Sequence, residues 1–197
     1  MAKESIMTTG QDDANSFEYF YREHGEALYN YLRKLTGQEE DAEDLLQETL
    51  VKIAAHLSDL EDSSRTRSWA FSIATNTAVD FFRRRGGKDI VLFDERIHGG
   101  GAASGDIEDR VIVDEMNECI RGEMGRIAPH YHIVLVLHYF EHMSVEEIAG
   151  VCGISISAVK VRLHRGRLLL NSILTRGCNF YYDRDSNIRC TRKPGSR

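Results

Sequence analysis

The stretch from Ser144 to Leu170 limits the possible folds of this chain more than any other part of it. It reads "SVEEIAGVCGISISAVKVRLHRGRLLL". Ser144 followed three residues later by Glu147 has the pattern of a capping box, which begins a short helix. Gly153 suits a tight turn, and Ser155 can cap a second helix. The apolar stripe of that second helix has spacings of four, three and four residues, at Val159, Leu163, Gly166 and Leu170. Two helices joined at a glycine turn predict a helix-turn-helix.

The second helix carries a basic side opposite its apolar stripe. No Asp or Glu occurs from Ile148 to Tyr182, although the chain has a formal net charge of −6. DNA-recognition helices place their N-terminal residues on base edges and flanking cations on phosphates. We therefore predict that this helix binds DNA, against the alternative of a solvated basic surface. The predicted contact residues are Ser157, Lys160, Val161, Arg162, His164, Arg165 and Arg167.

The rest of the sequence favours an all-α fold with two small helical domains. Only two prolines are present, and strong helix formers are abundant. Three amphipathic helices are predicted in residues 14–86. Residues 87–106 are glycine-rich and lack helical periodicity, which indicates a flexible linker. Residues 107–176 form the second domain with the helix-turn-helix, and residues 177–197 form a tail in which aromatic residues flank a turn, favouring a small hairpin.

The tail contains two cysteines, Cys178 and Cys190, which are equidistant from Arg184. In a symmetric hairpin they would face each other. Such a pair suits redox chemistry or metal binding, although two thiolates are fewer than the four ligands of structural zinc. The alternative is a small packed appendage with inert thiols. We expect no other cofactor.

Two separate stretches resemble bacterial sigma factors of the extracytoplasmic-function type, in the sigma-70 family. One is "DAEDLLQETLVKI" followed by "RSWAFSIATNTAVDFFRRR", and the other is the helix-turn-helix. A helix-turn-helix alone is common among regulators, but this combination is specific. The resemblance implies that the chain binds core RNA polymerase through the β′ clamp and the β flap, binds promoter DNA and directs transcription initiation. An anti-sigma factor is a further partner that the resemblance suggests.

The resemblance also implies roles for individual residues. The second predicted helix would dock on the polymerase clamp, and the third, with the loop before it, would read and melt the −10 element. The helix-turn-helix would read the −35 element. The matched positions are Asp44, Gln47 and Glu48 for polymerase, and Asn76, Asp80, Arg83 and Arg84 for −10 DNA.

Two other functions stay open at the level of sequence. A stand-alone helix-turn-helix regulator would bind DNA without polymerase. A metal-dependent enzyme could be built on His138 and His142, which are one helical turn apart, with His130 and His132 nearby. No paired acid and base, phosphate loop or nucleophile motif supports an enzyme. With no signal peptide pattern and no apolar run of about 20 residues, we expect a cytoplasmic protein without membrane insertion.

Overall fold

The computed structural model describes residues 17–60, 62–86, 124–182 and 188–193. Over these residues the chain is helical and ends in a two-stranded hairpin, which confirms the predicted all-α class and the C-terminal hairpin. The elements are α1 (Phe17–Thr36), α2 (Glu39–His56), the short 3-10 turns Leu57–Asp59 and Ser63–Arg65, α3 (Thr66–Arg84), α4 (Pro129–Tyr139), α5 (Val145–Cys152), α6 (Ile156–Gly177), β1 (Cys178–Tyr182) and β2 (Ile188–Arg192). The predicted linker and the helix expected after Ile107 lie outside the described residues.

Helices α1, α2 and α3 pack together as a three-helix unit. Gly37, with φ +70°, takes the left-handed conformation that lets the chain reverse between α1 and α2. The core contains Leu28 and Leu32 of α1, Leu45 and Ile53 of α2, and Phe71, Ala74 and Ala78 of α3. Within it, the hydroxyl groups of Tyr31 and Thr75 are hydrogen-bonded at 2.8 Å, so neither buried polar atom lacks a partner.

The helix-turn-helix has the local geometry that its sequence predicts. The Ser144 hydroxyl accepts a hydrogen bond from the Glu147 amide at 3.2 Å, and the Glu147 carboxylate accepts one from the Ser144 amide at 2.8 Å. Gly153 ends α5 at φ 63°, in the left-handed region where glycine is favoured. The Ser155 hydroxyl then caps α6 by accepting from the Ala158 amide at 3.2 Å.

The central part of helix α4 is apolar on every side, and every side is covered. Five consecutive residues, Ile133 to Leu137, are fully buried. The helix packs on α5 and α6 and also on α1 of the N-terminal unit. Gly166 allows α6 to pack closely on α4, because a Cβ atom at this position would lie only 3.1 Å from Leu135. A helix without a polar face needs neighbours all round.

The two helical units form one packed body in this structure. Helix α5 packs along α3, and α4 packs against α1. The HTH unit, which consists of α4, α5 and α6, therefore lies directly on the unit of α1, α2 and α3.

The register of the hairpin corrects one expectation. Cys178 pairs with Arg192 and Cys190 pairs with Phe180, so the two cysteines are diagonal neighbours and do not face each other. The connection between the strands is centred on Asp185, one residue later than the symmetric arrangement assumed. Diagonal positions have Cα atoms roughly 7–8 Å apart, beyond the usual range for a disulfide.

Candidate nucleic-acid and partner interfaces

Helix α6 has one buried side and one exposed basic side, as predicted. Val159, Leu163 and Gly166 are buried against the rest of the HTH unit. The opposite side, called the reading face below, consists of the exposed residues Ser157, Lys160, His164 and Arg165. Val161 lies among them and is half-buried. This surface offers hydroxyl, ammonium, imidazole and guanidinium donors with no carboxylate on the helix, which suits an anionic partner.

Two of the predicted DNA contacts do not belong to the reading face. Arg162 is only 1% exposed, and it is the largest fully buried side chain of the described residues. Its position on the helix turns it toward the packed interior, next to the buried stripe, so its assignment to DNA is wrong for this arrangement. Its charge also acts on the thiol of Cys152, whose pKa burial raises to about 12. Arg167 is half-buried at the edge of the face.

Helix α3 exposes all four residues predicted to contact −10 DNA. Asn76, Asp80 and Arg83 are exposed, and Arg83 donates to Asp80 at 2.8 Å. The fourth residue, Arg84, is exposed but bonds to Glu48 of α2 at 3.3 Å. The only tryptophan of the chain, Trp69, is half-buried on this helix. The helix therefore combines an amide, an arginine and an aromatic ring, and cationic and aromatic groups together suit a single-stranded nucleic acid.

The three residues predicted to bind polymerase separate into two groups on α2. Asp44 and Gln47 lie on the outer side of the helix. Glu48 instead faces α3, accepting hydrogen bonds from Lys52 at 2.8 Å and from Arg84 at 3.3 Å. The bond from Lys52, and then the cations, hold the pKa of Glu48 below its ordinary value. Its carboxylate is already neutralised within the molecule, so Asp44 and Gln47 are the more available pair.

A groove between α1 and α2 adjoins Gln47, and no pattern in the sequence indicates it. Its walls include the rings of Tyr21 and Tyr29 and the side chains of Leu46 and Leu50. Tyr21 is 49% exposed. A Cβ atom at Gly25 would lie 2.8 Å from the Tyr21 ring, so the glycine allows the ring to lie flat along the helix. Apolar walls beside the acidic side of α2 suit a partner with apolar and basic side chains.

The loop before α3 is organised by Asp62. Its carboxylate accepts hydrogen bonds from the Ser64 hydroxyl at 2.6 Å and from the Ser64 amide at 3.0 Å. These hydrogen bonds from Ser64 lower the pKa of Asp62 from its ordinary value. Arg65 lies 3.3 Å from the same carboxylate. The loop thus presents a mixed-charge surface next to the first turn of α3.

The histidines do not form the metal site that their spacing suggested. Among the residues that the structure describes, no three His, Cys, Asp or Glu side chains come together to hold a metal ion. His138 instead bonds through Nδ1 to the Met143 carbonyl at 3.1 Å. His132 is buried in α4, and burial lowers its pKa to about 4.

A buried carboxylate at the contact of the two units is the main feature that sequence reasoning missed. Glu141, just after α4, lies 3.1 Å from Lys34 of α1 and 3.6 Å from Arg67 of α3. These partners are 107 and 74 residues away along the chain. No local pattern could connect them, because each residue taken alone looks like an ordinary surface charge.

Comparison with known proteins gives consistent matches over both units. The family model of sigma-70 region 2 matches residues 20–87, and that of sigma-70 region 4 matches residues 117–170. The RNA polymerase sigma factor SigZ of Bacillus subtilis is 30% identical, over 88% of this chain and 95% of the relative. The ECF RNA polymerase sigma factor SigW of the same organism is 24% identical, over 88% of this chain and 97% of the relative.

Among solved structures, the sigma factor RpoE bound to the anti-sigma factor NepR, from Bartonella quintana, is similar in fold. The TM-score is 0.59 at 25% identity, and the alignment covers 81% of this chain and 96% of the other. Within the described ranges of the present chain, no helix combines the length and the hydrophobicity needed to cross a bilayer.

Proposed function

The chain belongs to the sigma-70 family as an RNA polymerase sigma factor of the extracytoplasmic-function type, and from this premise we propose how its surfaces divide the work of directing transcription initiation. Sigma factors act by binding, so the proposal assigns no catalytic residue. The observation that carries it is the reading face of α6, which is exposed and free of acids while the other side of the helix is buried.

We assign the reading face to the −35 element. Lys160, His164 and Arg165 supply donors for base edges and phosphates, and Ser157 near the N-terminus of α6 adds a hydroxyl. Val161 offers an apolar contact that suits a thymine methyl group. Arg162 is left out because it is buried, and it supports the HTH unit from within.

We assign the outer side of α3 to the −10 element. Asn76 and Arg83 are exposed there, with Asp80 holding the Arg83 guanidinium. Arg84 would contact the DNA only after breaking its ion pair with Glu48. Aromatic and cationic groups on one helix suit a single strand through stacking and phosphate attraction.

We assign the outer side of α2 and the adjoining groove to core polymerase. Asp44 and Gln47 provide polar contacts, and the groove beside them takes apolar side chains of the β′ clamp. The far half of α6 exposes two leucines, Leu168 and Leu169, at 57% and 41%. Exposed apolar residues beyond the reading face fit a protein partner, which we take to be the β flap.

The remaining elements of the proposal concern organisation and regulation. Residues 14–86 would act as region 2, residues 87–106 as a linker, residues 107–176 as region 4 and residues 177–197 as a tail. An anti-sigma factor is a proposed partner, because one of the similar sigma factors was solved with such a protein bound. We place the protein in the cytoplasm with its polymerase. A metal- or redox-sensing role for Cys178 and Cys190 stays a hypothesis.

A binding assay with purified core polymerase tests the proposal. We expect the wild type to form a complex that elutes with core on gel filtration. Gln47→Ala should weaken that complex by ~tenfold, equivalent to about 1.4 kcal/mol. Asn179→Ala, which removes an exposed amide on β1, is the matched control. Equal affinities of the two variants would remove Gln47 from the interface, and a wild type that ignores core would favour the stand-alone regulator.

The DNA assignments need a promoter, which mapping of transcripts after overexpression supplies. On that promoter, Lys160→Ala should reduce initiation strongly, while Asn171→Ala, an exposed residue farther along α6, should leave it unchanged. If both variants initiate like the wild type, the −35 assignment of the reading face is wrong.

A further inference from the structure

The contact between the two units centres on Glu141, whose side chain is only 7% exposed. Its carboxylate lies 3.1 Å from the Lys34 ammonium and 3.6 Å from the Arg67 guanidinium. Arg67 also donates to the Glu141 carbonyl at 2.9 Å. One residue of the HTH unit thus binds cations from both α1 and α3. Because the carboxylate is largely shielded from water, its attraction to the two cations is screened less than in an ion pair on an open surface.

The chain around Glu141 is shaped to present it. Helix α4 ends at Tyr139, and the next residues fold back, with the Glu141 amide donating to the Val136 carbonyl at 3.2 Å. His142 has φ 54°, a left-handed conformation that is uncommon for a non-glycine residue. Phe140 lies beneath the Lys34 ammonium, with 5.2 Å between nitrogen and ring centroid. The turn therefore offers a carboxylate and an aromatic face to the same lysine.

The packed arrangement cannot serve both promoter elements at once. Helix α5 packs on α3 and on α6, and packed helix axes lie 8–10 Å apart, so α3 and α6 are held within roughly 20 Å of each other. Elements centred at −10 and −35 are about 25 base pairs apart, or roughly 85 Å along the duplex at about 3.4 Å per pair. The predicted linker, residues 87–106, can span roughly 65 Å when fully extended, so its length allows the two units to separate.

Each DNA-binding surface is nevertheless accessible in the packed form. The reading face of α6 is exposed, and so are Asn76, Asp80 and Arg83 on α3. The packing thus leaves the separate contacts intact and removes only their simultaneous use. Two linked sites gain affinity from effective concentration only when both can be occupied together.

We propose that Glu141, held by Lys34 and Arg67, is a latch between the two units that keeps the sigma factor from engaging the −10 and −35 elements together until it is opened. This regulatory role rests on the proposed function of the two surfaces. The latch itself is a property of the free protein and is tested without DNA. Core polymerase, which would bind both units at separate places, is the partner whose binding opens it.

Small-angle X-ray scattering of the free protein measures the opening. Glu141→Lys places a third cation beside Lys34 and Arg67, and the open form should become the major form in solution. The radius of gyration should then rise by roughly 5 Å or more, from the value of about 16 Å expected for a compact chain of this length. Glu146→Lys makes the same charge change at an exposed site on α5 and should leave the radius unchanged.

A double variant separates opening from general damage. Lys34→Glu combined with Glu141→Lys recreates an ion pair of opposite polarity and should restore the compact radius. Circular dichroism of every variant should show wild-type helix content, and Glu141→Gln provides a milder opening variant if Glu141→Lys loses helix. If the Glu141 variants scatter like wild type with their helices intact, the latch does not exist.

Function is read separately on the mapped promoter. An open Glu141→Lys variant should bind a promoter fragment with a duplex −35 element and a single-stranded −10 element more tightly than wild type does. The two proteins should bind a duplex carrying the −35 element alone equally well. An open variant with no gain on the complete promoter would leave the latch standing and overturn its regulatory role. If neither the wild type nor any variant binds core polymerase, the proposed function is wrong, but the latch in the free protein is not contradicted.

Discussion

The neutral, buried His132 should make the HTH unit sensitive to acid. Its side chain is 3% exposed, and its Nε2 atom has no hydrogen-bond partner among the described residues. Burial lowers its pKa from 6.5 to about 4. Because the pKa is depressed in the folded state, the stabilising effect is complete above pH 6.5 and is lost as the pH falls toward 4. Over that window the unfolded chain binds a proton that the folded chain does not bind.

The magnitude follows from the gap between the two pKa values. At about 1.4 kcal/mol per pH unit, the free energy of unfolding should fall by about 3 kcal/mol between pH 6.5 and pH 4 through this residue alone. That is a large part of the stability of a small domain, which is typically about 5–15 kcal/mol. Carboxylates contribute their own acid sensitivity, so the His132 share must be isolated by comparison with a variant.

Urea denaturation followed by circular dichroism at several pH values provides the assay. His132→Leu replaces the imidazole with an apolar side chain, so it should match or exceed wild-type stability at about pH 7. At about pH 4.5 it should be more stable than wild type by about 2.5 kcal/mol beyond the difference seen at neutral pH. His164→Leu, an exposed histidine on α6, is the control and should follow the wild-type curve. A difference between His132→Leu and wild type that stays constant over this pH range would refute the reasoning.

Three further predictions follow from local geometry. Ser144→Ala removes the capping box and should lower the free energy of unfolding by about 1 kcal/mol in denaturation experiments. Gly166→Val should lower the free energy of unfolding by about 2–3 kcal/mol, because the new Cβ atom would lie 3.1 Å from Leu135. Leu135→Ala should make the same substitution less costly, and an equal cost with Leu135 or Ala at that position would contradict the contact. Mild oxidation should form no intramolecular disulfide between Cys178 and Cys190, because they are diagonal in the hairpin, and non-reducing mass spectrometry checks this.

The parts of the structure that could be predicted from sequence are those determined by neighbours in the chain. Ser144, Glu147 and Gly153 specify a cap and a turn through bonds within a few residues, and the structure has both. In the predicted stripe of α6, Val159, Leu163 and Gly166 are buried, and Leu170 is half-buried. The family-specific positions on α2 and α3 lie on outer surfaces, with the exception of Glu48, whose partner Arg84 is 36 residues away.

The parts that failed depend on contacts between distant segments. Arg162 is basic and lies near the edge of the apolar stripe, so a helical wheel alone assigns it to the DNA side. Only the packing of α6 on its neighbours shows that it is buried. The hairpin connection is centred one residue later than the prediction assumed. Because of this shift Cys190 pairs with Phe180, whereas the prediction placed it opposite Cys178. Glu141 meets its partners only after the two units pack.

Helix α4 imposes a condition on any opened form of the molecule. Its central part has no polar side, and its contact with α1 covers a surface that cannot be exposed to water without loss of stability. Separating the two units therefore uncovers one side of this helix, which costs free energy until a binding partner covers it. Promoter search by the free protein in its opened form would be short-lived, and a polymerase or inhibitor that covers α4 would act as the replacement. The helix makes the two units depend on each other in the free protein and on a binding partner once they separate.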